Sequence, residues 1–216
     1  GFKITKYIEN AHTCDSLNWE EVRVCMEHLK RFHEKKLKVQ HTFSLFGQIQ
    51  YYEDLWKGQD SIYKDYFETK KNVFSLKRWI DQQPKQYGLT HIDAVPDNFL
   101  FANDENKNQK IYLIDWEYAG MQDPHVDIAM FGIYALYDRK QMDQLIDLYF
   151  ENKCPEIVRV KIYAYVAVCG LLWSNWCEYK RNLGVEFGEY ALYQYRYAKE
   201  YYRIVKEYLR KEKENV

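Results

Sequence analysis

From Pro124 to its end the chain keeps a helical rhythm. Tyr190, Tyr193, Tyr197, Tyr201, Ile204 and Tyr208 recur at steps of three and four, as do Val158, Ile162, Tyr165, Cys169, Leu172 and Trp176 before them. That period puts each set on one face of a helix, so the C-terminal part has to fold by packing helices together. Within the earlier helix, "IYAYVAVCGLLW" from Ile162 to Trp173 is apolar over 12 residues. A bilayer-spanning helix needs ~20, so the run reads as a buried core helix and predicts no membrane insertion. Nearer the start, Trp19, Val22, Met26, Leu29 and Phe32 keep the same spacing after the loop "NAHTCDSLN", in which Asp15, Ser16 or Asn18 can cap the helix. From about Phe46 to Ile80 the pattern predicts one or two further helices, closed by Pro84 and Gly88.

The strand signals are few. "GFKITKYI" alternates loosely and predicts a short strand ending near Glu9. "FLF" and "IYLID" predict two more, with the polar run "ANDENKNQ" as a surface hairpin connection. The expected fold is therefore mainly α with a small β element, and no internal repeat interrupts it. At 216 residues and 47% hydrophobic composition the chain can bury a proper core, which argues against disorder. Lys and Arg number 31 against 32 Asp and Glu, so the basic excess of a nucleic-acid-binding domain is absent. The five cysteines, Cys14, Cys25, Cys154, Cys169 and Cys177, form no C-x-x-C pair. With no signal peptide at the start, they fit a reducing cytoplasm better than a disulfide framework or a zinc site.

The segment "HIDAVPDNFLF", positions 91 to 101, sets His91, two Asp and Asn98 directly before apolar Phe99, Leu100 and Phe101. A plain core strand has no use for them. His91-x-Asp93-x4-Asn98 has the spacing of a phosphoryl-transfer loop, in which an Asp accepts the proton of the substrate hydroxyl and an Asn holds magnesium. Asp115 closes the apolar strand "IYLID", where the second magnesium ligand of that template stands. Magnesium wants hard oxygen ligands and keeps several waters, so one carboxylate, one amide oxygen and nucleotide phosphates suffice. Taken singly each residue has a plainer role, His91 as a structural histidine and Asp115 as a turn residue. Their joint order and spacing favour the chemistry. Val95 stands two residues after Asp93, where Ser/Thr protein kinases carry Lys. Only eight residues separate Asp115 from Pro124, too few for a peptide-binding activation segment. The acceptor is expected to be a small-molecule hydroxyl.

"LTHIDAVPDNFLF" followed by "IYLIDWEYAGMQDPHVDIAMF" resembles the choline/ethanolamine kinase family, in particular its bacterial choline kinases, within the aminoglycoside-phosphotransferase and protein-kinase-like superfamily. The resemblance is strong over residues 86 to 131 and extends to "LLWSNW" and "EFGEYALY", which are similar to segments that help build the choline pocket. It implies a protein-kinase-like fold, with residues 10–216 forming the helical C-lobe. That lobe would carry the catalytic loop at 86–101 and the metal-binding strand end at 111–120. Residues 1–9 would be the hinge strand, with Lys6, Tyr7 and Ile8 contacting adenine. The implied reaction moves the γ-phosphoryl of ATP, with Mg2+ held by Asn98 and Asp115, to the hydroxyl of choline. Asp93 would act as the base and His91 would brace the loop. Trp173, Trp176, Tyr118 and Tyr193 would face the quaternary ammonium, Glu117 would offset its charge, and Asp127 would support the loop backbone. Without the resemblance, a W-x-x-W pair on a helix reads as core.

No Gly-rich phosphate loop or lysine-bearing strand precedes the hinge. An N-terminal kinase lobe of the same protein is therefore expected to be missing, and little activity is expected from this chain alone. Two other readings stand beside choline kinase: an ethanolamine or other amino-alcohol kinase, and a non-catalytic choline-binding or pseudokinase module.

Overall fold

The computed structural model describes residues 4–5, 7–56, 61–103 and 109–214. Asn18 caps the first helix by accepting the Glu20 amide, and α1 runs Trp19–Glu34 with Val22, Cys25, Met26, Leu29 and His33 buried. The stretch expected to hold one or two helices holds three, α2 (Leu45–Trp56), α3 (Tyr66–Ser75) and α4 (Lys77–Gln82). The α3 and α4 axes meet at Leu76, which stays in right-handed helical geometry, so apolar spacing alone does not reveal the joint. After the central strands come α5 (His125–Tyr134), α6 (Arg139–Phe150), α7 (Glu156–Asn182) and α8 (Glu189–Glu214).

The axis of the fold is α7. Its 27 residues far exceed the apolar run seen in the sequence, and by length and composition it is a helix able to cross a membrane. Here 83% of its most apolar window is buried inside the fold, with α8, α2 and α5 packed around it. It behaves as a core helix. Its partner α8 buries Gln194, Tyr195, Tyr197, Ala198, Tyr201 and Val205, while Tyr190, Tyr193 and Tyr208 are only partly covered. The buried face of α8 is thus rotated from the tyrosine spacing, because the wide surface of α7 takes a broader stripe.

The strands are short. β1 (His12–Thr13) pairs with β3 (Phe99–Asn103), which pairs with β4 (Gln109–Leu113), all antiparallel. β2 (Gly88–Thr90) and β5 (Gly120–Gln122) form a second antiparallel pair. The strand expected to end near Glu9 is absent from the described residues: positions 4, 5, 7 and 8 lie in no ladder, and Ile4 and Tyr7 are more than 80% exposed. Alternation becomes a strand only where a neighbour supplies hydrogen bonds. β1 finds β3 within the segment expected to be a loop. The hairpin between β3 and β4 is present, and its connection at 104–108 lies outside the described residues.

The β3–β4 register places the site. Phe99 stands opposite Leu113, and one step further out the Ile114 amide donates to the Asn98 carbonyl at 3.0 Å. The loop before β3 and the residues after β4 therefore leave the sheet side by side. Phe99 and Phe101 are buried and anchor that end in the core, while Leu100 between them points the other way and is half-covered.

Candidate active site

Pro96 opens a 3-10 turn, Pro96–Asn98, and holds Val95 before it in extended geometry. The turn brings Asn98 back over Asp93. Asn98 Nδ2 donates to the Asp93 carbonyl at 2.8 Å and to Asp93 Oδ2 at 3.0 Å. The four-residue interval between Asp93 and Asn98 is what lets the loop close on itself. Burial pushes the Asp93 carboxyl up to about 6, the Asn98 bond opposes that, and the nearby Asp115, Glu117 and Asp127 charges add to it.

Each neighbouring residue has a defined mechanical task. His91 is fully buried, and its Nε2 donates to the Ile114 carbonyl at 2.8 Å. It thus ties the loop to the chain just before Asp115, with Trp116 packed edge-on at 4.6 Å between ring centroids. Burial lowers the His91 pKa, and Nδ1 is buried without a hydrogen-bond partner, as suits a neutral ring. His91 sits in the loop's support and does not line the cavity described below. Asp127, at the first turn of α5, accepts the His91 amide at 3.0 Å and the Ile92 amide at 2.7 Å. Ile92 needs that grip: its φ is 72°, a left-handed conformation that a buried β-branched residue rarely adopts. Asp115 is also left-handed, at φ 61°, where Asp is better tolerated, and its carboxylate is exposed.

The donor set fits a hard divalent cation. Because Asn98 Nδ2 is committed to Asp93, its Oδ1 is the atom left for a metal, and Asp115, next after the Ile114 whose amide bonds the Asn98 carbonyl, offers an open carboxylate. Among the described residues no three His, Cys, Asp or Glu side chains form a metal cage. That is the arrangement expected when phosphate oxygens and waters complete the shell.

Beside Asp93 opens a cavity of about 340 Å³, lined by Val95, Met130 and Ile133, by the acids Asp93 and Glu117, and by six aromatic rings. The rings are Tyr118, Tyr134, Trp173, Trp176, Phe187 and Tyr190. Trp173 is fixed by its indole N–H, which donates to Met130 Sδ at 3.0 Å, and it meets Tyr118 and Trp176 edge-on at 5.8 and 5.6 Å. Phe187 covers Trp176 at 4.8 Å, and Tyr134 meets Tyr190 at 6.0 Å. The Tyr134 hydroxyl donates to Asp97 at 2.5 Å, joining the wall to the loop. Among the described residues no Lys or Arg lines the space.

Of the residues singled out in the sequence, Asp93, Glu117, Tyr118, Trp173 and Trp176 line this one cavity. Tyr193 does not: it lies outside the lining, its ring beneath the Arg196 guanidinium at 5.4 Å, and Tyr190 one turn earlier faces the cavity instead. Tyr134, Phe187 and Tyr190 are the residues the sequence left unassigned. Phe187 and Tyr190 belong to "EFGEYALY", a segment already tied to the pocket, but Tyr134 ends a helix that is apolar from Ile128 onward and carries no local signal. Lys6 lies outside the described residues, and Tyr7 and Ile8, the other expected adenine contacts, do not line this cavity.

Residues 27–163, more than half of the chain, match the phosphotransferase enzyme family (APH). The chain belongs to the phosphotransferase enzyme family. Within this phosphotransferase family, Protein LicA of Haemophilus influenzae is 28% identical over 206 residues, which is 89% of this chain and 74% of the relative. The solved structure of choline kinase LicA from Streptococcus pneumoniae superposes with a TM-score of 0.76 at 27% identity, covering 92% of this chain and 69% of that one. A structure of LicA in complex with AMP matches with a TM-score of 0.77 at 27% identity, over 93% of this chain and 68% of that one. The fold is thus protein-kinase-like, and a phosphotransferase reading of the Asp93 loop follows. The expectation that an N-terminal lobe has been lost finds no support in these matches, which say how much of each chain is shared and not which part of the relative lies outside.

Proposed function

We propose that this phosphotransferase moves the γ-phosphoryl group of Mg-ATP to the hydroxyl of choline, giving phosphocholine. The observation that carries the reading is the placement of Asp93 in the wall of a cavity that six aromatic rings line. A quaternary ammonium cannot donate a hydrogen bond, and ring faces stabilise it by ~0.5–2 kcal/mol each. Held there, the cation directs its hydroxyl toward Asp93, which orients it and takes its proton as the P–O bond forms. Asn98 Oδ1 and Asp115 would hold magnesium, which neutralises charge on the phosphates when bound. LicA in complex with AMP supports nucleotide binding in a relative, and adenine would meet the chain around Lys6, Tyr7 and Ile8. The five free cysteines suit a reducing cytoplasm.

Glu117 favours a second reading. A carboxylate in the wall offers an acceptor that a primary ammonium uses and a quaternary one does not, which would suit ethanolamine or another amino alcohol. The ratio of kcat/KM for choline and ethanolamine separates the two. The main test is choline-dependent ADP release by the protein with Mg-ATP. Asp93→Ala is expected to lower kcat by at least about 100-fold. No choline-dependent turnover would sink the proposal and leave a non-catalytic choline-binding module, and an Asp93→Ala protein as active as wild type would remove Asp93 as the base.

A further inference from the structure

The turn at Pro96–Asn98 is held by a side chain on each shoulder. On the inner side Asn98 Nδ2 donates to Asp93. On the outer side the exposed Asp97 carboxylate accepts the hydroxyl of Tyr134, 37 positions further on at the end of α5, at 2.5 Å. The half-buried Tyr134 ring faces the cavity, with the Tyr190 ring 6.0 Å away between centroids. One residue therefore has its ring in the cavity wall and its hydroxyl on the turn that carries Asn98.

We propose that Tyr134 is a positioning residue that couples the two halves of the site: a cation seated against its ring fixes, through the hydroxyl and Asp97, the turn that presents Asn98 Oδ1 to magnesium. The inference rests on the choline kinase reading of this cavity. Its consequence is that the amine substrate and the magnesium nucleotide strengthen one another's binding.

The physical case lies in how little else holds the middle of the turn. A 3-10 turn has poorer hydrogen-bond geometry than an α-helix, and this one is three residues long. The Asn98 amide donates to the Val95 carbonyl at 3.0 Å, and the Asn98 carbonyl accepts the Ile114 amide at 3.0 Å. Those bonds bracket Asn98 and leave Asp97, at the middle of the turn, to be fixed through its side chain. A hydrogen bond to an ionised carboxylate is roughly twice as strong as one between neutral groups, so it can carry position from ring to turn. Tyr134 turns about its side-chain bonds, and a cation packed on the ring removes part of that freedom and stills the hydroxyl with it. Such coupling is reciprocal by thermodynamic necessity, so a nucleotide whose magnesium draws on Asn98 tightens the cation in return.

The plain alternative is that Asp97 only satisfies a hydroxyl that water would satisfy equally well. Tyr134→Phe keeps the ring and removes the tie. Calorimetric titration of choline into the protein, with and without Mg-ADP, reads the coupling with no turnover. In wild type Mg-ADP is expected to tighten choline about 5- to 20-fold. In Tyr134→Phe that gain should fall below about twofold, while the Kd for choline without nucleotide stays within about twofold of wild type. Asp97→Ala should lose the same coupling, and the double variant no more than either single one, because each removes the same bond. Asp97→Asn, which keeps an oxygen for the hydroxyl, should retain most of it. If Tyr134→Phe does not fold, Asp97→Ala, at an exposed position, decides the matter. No coupling in wild type, or coupling intact in Tyr134→Phe or Asp97→Ala, overturns the inference. A wild type that binds no choline in either state overturns the functional reading instead. Amide exchange in the ligand-free protein then decides whether the tie holds the turn: Asn98 and Ile114 should exchange faster in Tyr134→Phe than in wild type, and equal rates overturn the inference.

Discussion

Asp93 is held in an unfavourable state. Its carboxyl is raised to about 6 by burial, and the carboxylates of Asp115, Glu117 and Asp127 push the same way. A group raised in the folded state contributes stability below its ordinary value and loses it as pH rises through about 6. At neutral pH the ionised Asp93 therefore weighs against the fold, by roughly 1–2 kcal/mol. Asp93→Asn removes that charge and keeps an oxygen for the Asn98 amide. In metal-free protein at pH 7.5 it is expected to raise Tm by roughly 2–8 °C. The gain should shrink as pH falls below about 6, where the wild-type carboxyl is already protonated. A thermal melt series in chelator with an equal or lower Tm for the variant would show that the charge costs nothing. This residue was readable from sequence because its neighbours in the chemistry are also its neighbours in the chain. His33, whose Nε2 bonds the Asp127 carboxylate, was not, since nothing in α1 signals a partner 94 residues away. Tyr134 was hidden for a related reason: its helix, "HVDIAMFGIY", is buried on nearly every side, so no polar face marks which residue looks into a cavity.

At the scale of elements, α7 and α8 approach closely at Gly170. A Cβ placed on Gly170 would lie 2.7 Å from the Gln194 carbonyl oxygen, 2.9 Å from Tyr197 Cβ and 3.0 Å from the Ala198 amide nitrogen. Most of those atoms are backbone and cannot step aside. Gly170→Ala gains ~1 kcal/mol of helix propensity but overpacks by ~1–3 kcal/mol, so a net loss of about 1–2 kcal/mol is expected from denaturant titration. Gly132→Ala is the informative control: its Cβ meets the flexible end of Met142, which can move, so its cost should be smaller. Equal effects would mean that α8 shifts freely over α7. The crossing also explains how far elements could be read from sequence. The α1, α7 and α8 periodicities located three long helices, because each has its own apolar stripe. The β1, β2 and β5 strands were missed because two or three residues carry no period. They exist only through partners such as Phe101 for His12 and Met121 for Leu89.

Across the whole molecule, one buried ion pair joins segments that share no secondary structure. Lys161 of α7 donates to Asp123 Oδ2 and to the Pro84 carbonyl, both at 2.7 Å, and its side chain is 2% exposed. Asp123 stands between β5 and α5, and also accepts the Tyr165 hydroxyl at 3.0 Å and the His125 amide at 3.1 Å. The core helix, the approach to the catalytic strands and the start of the helix that carries Asp127 are thus pinned at one point. Lys161→Met fills similar volume but strands the Asp123 charge, and removing one partner of a buried pair costs roughly 3–5 kcal/mol. Replacing both partners, as in Lys161→Met with Asp123→Asn, is expected to recover part of that loss, because the uncompensated charge goes with them. A double variant as unstable as the single one would mean that Lys161 stabilises the fold by reaching Pro84 and not by balancing a charge.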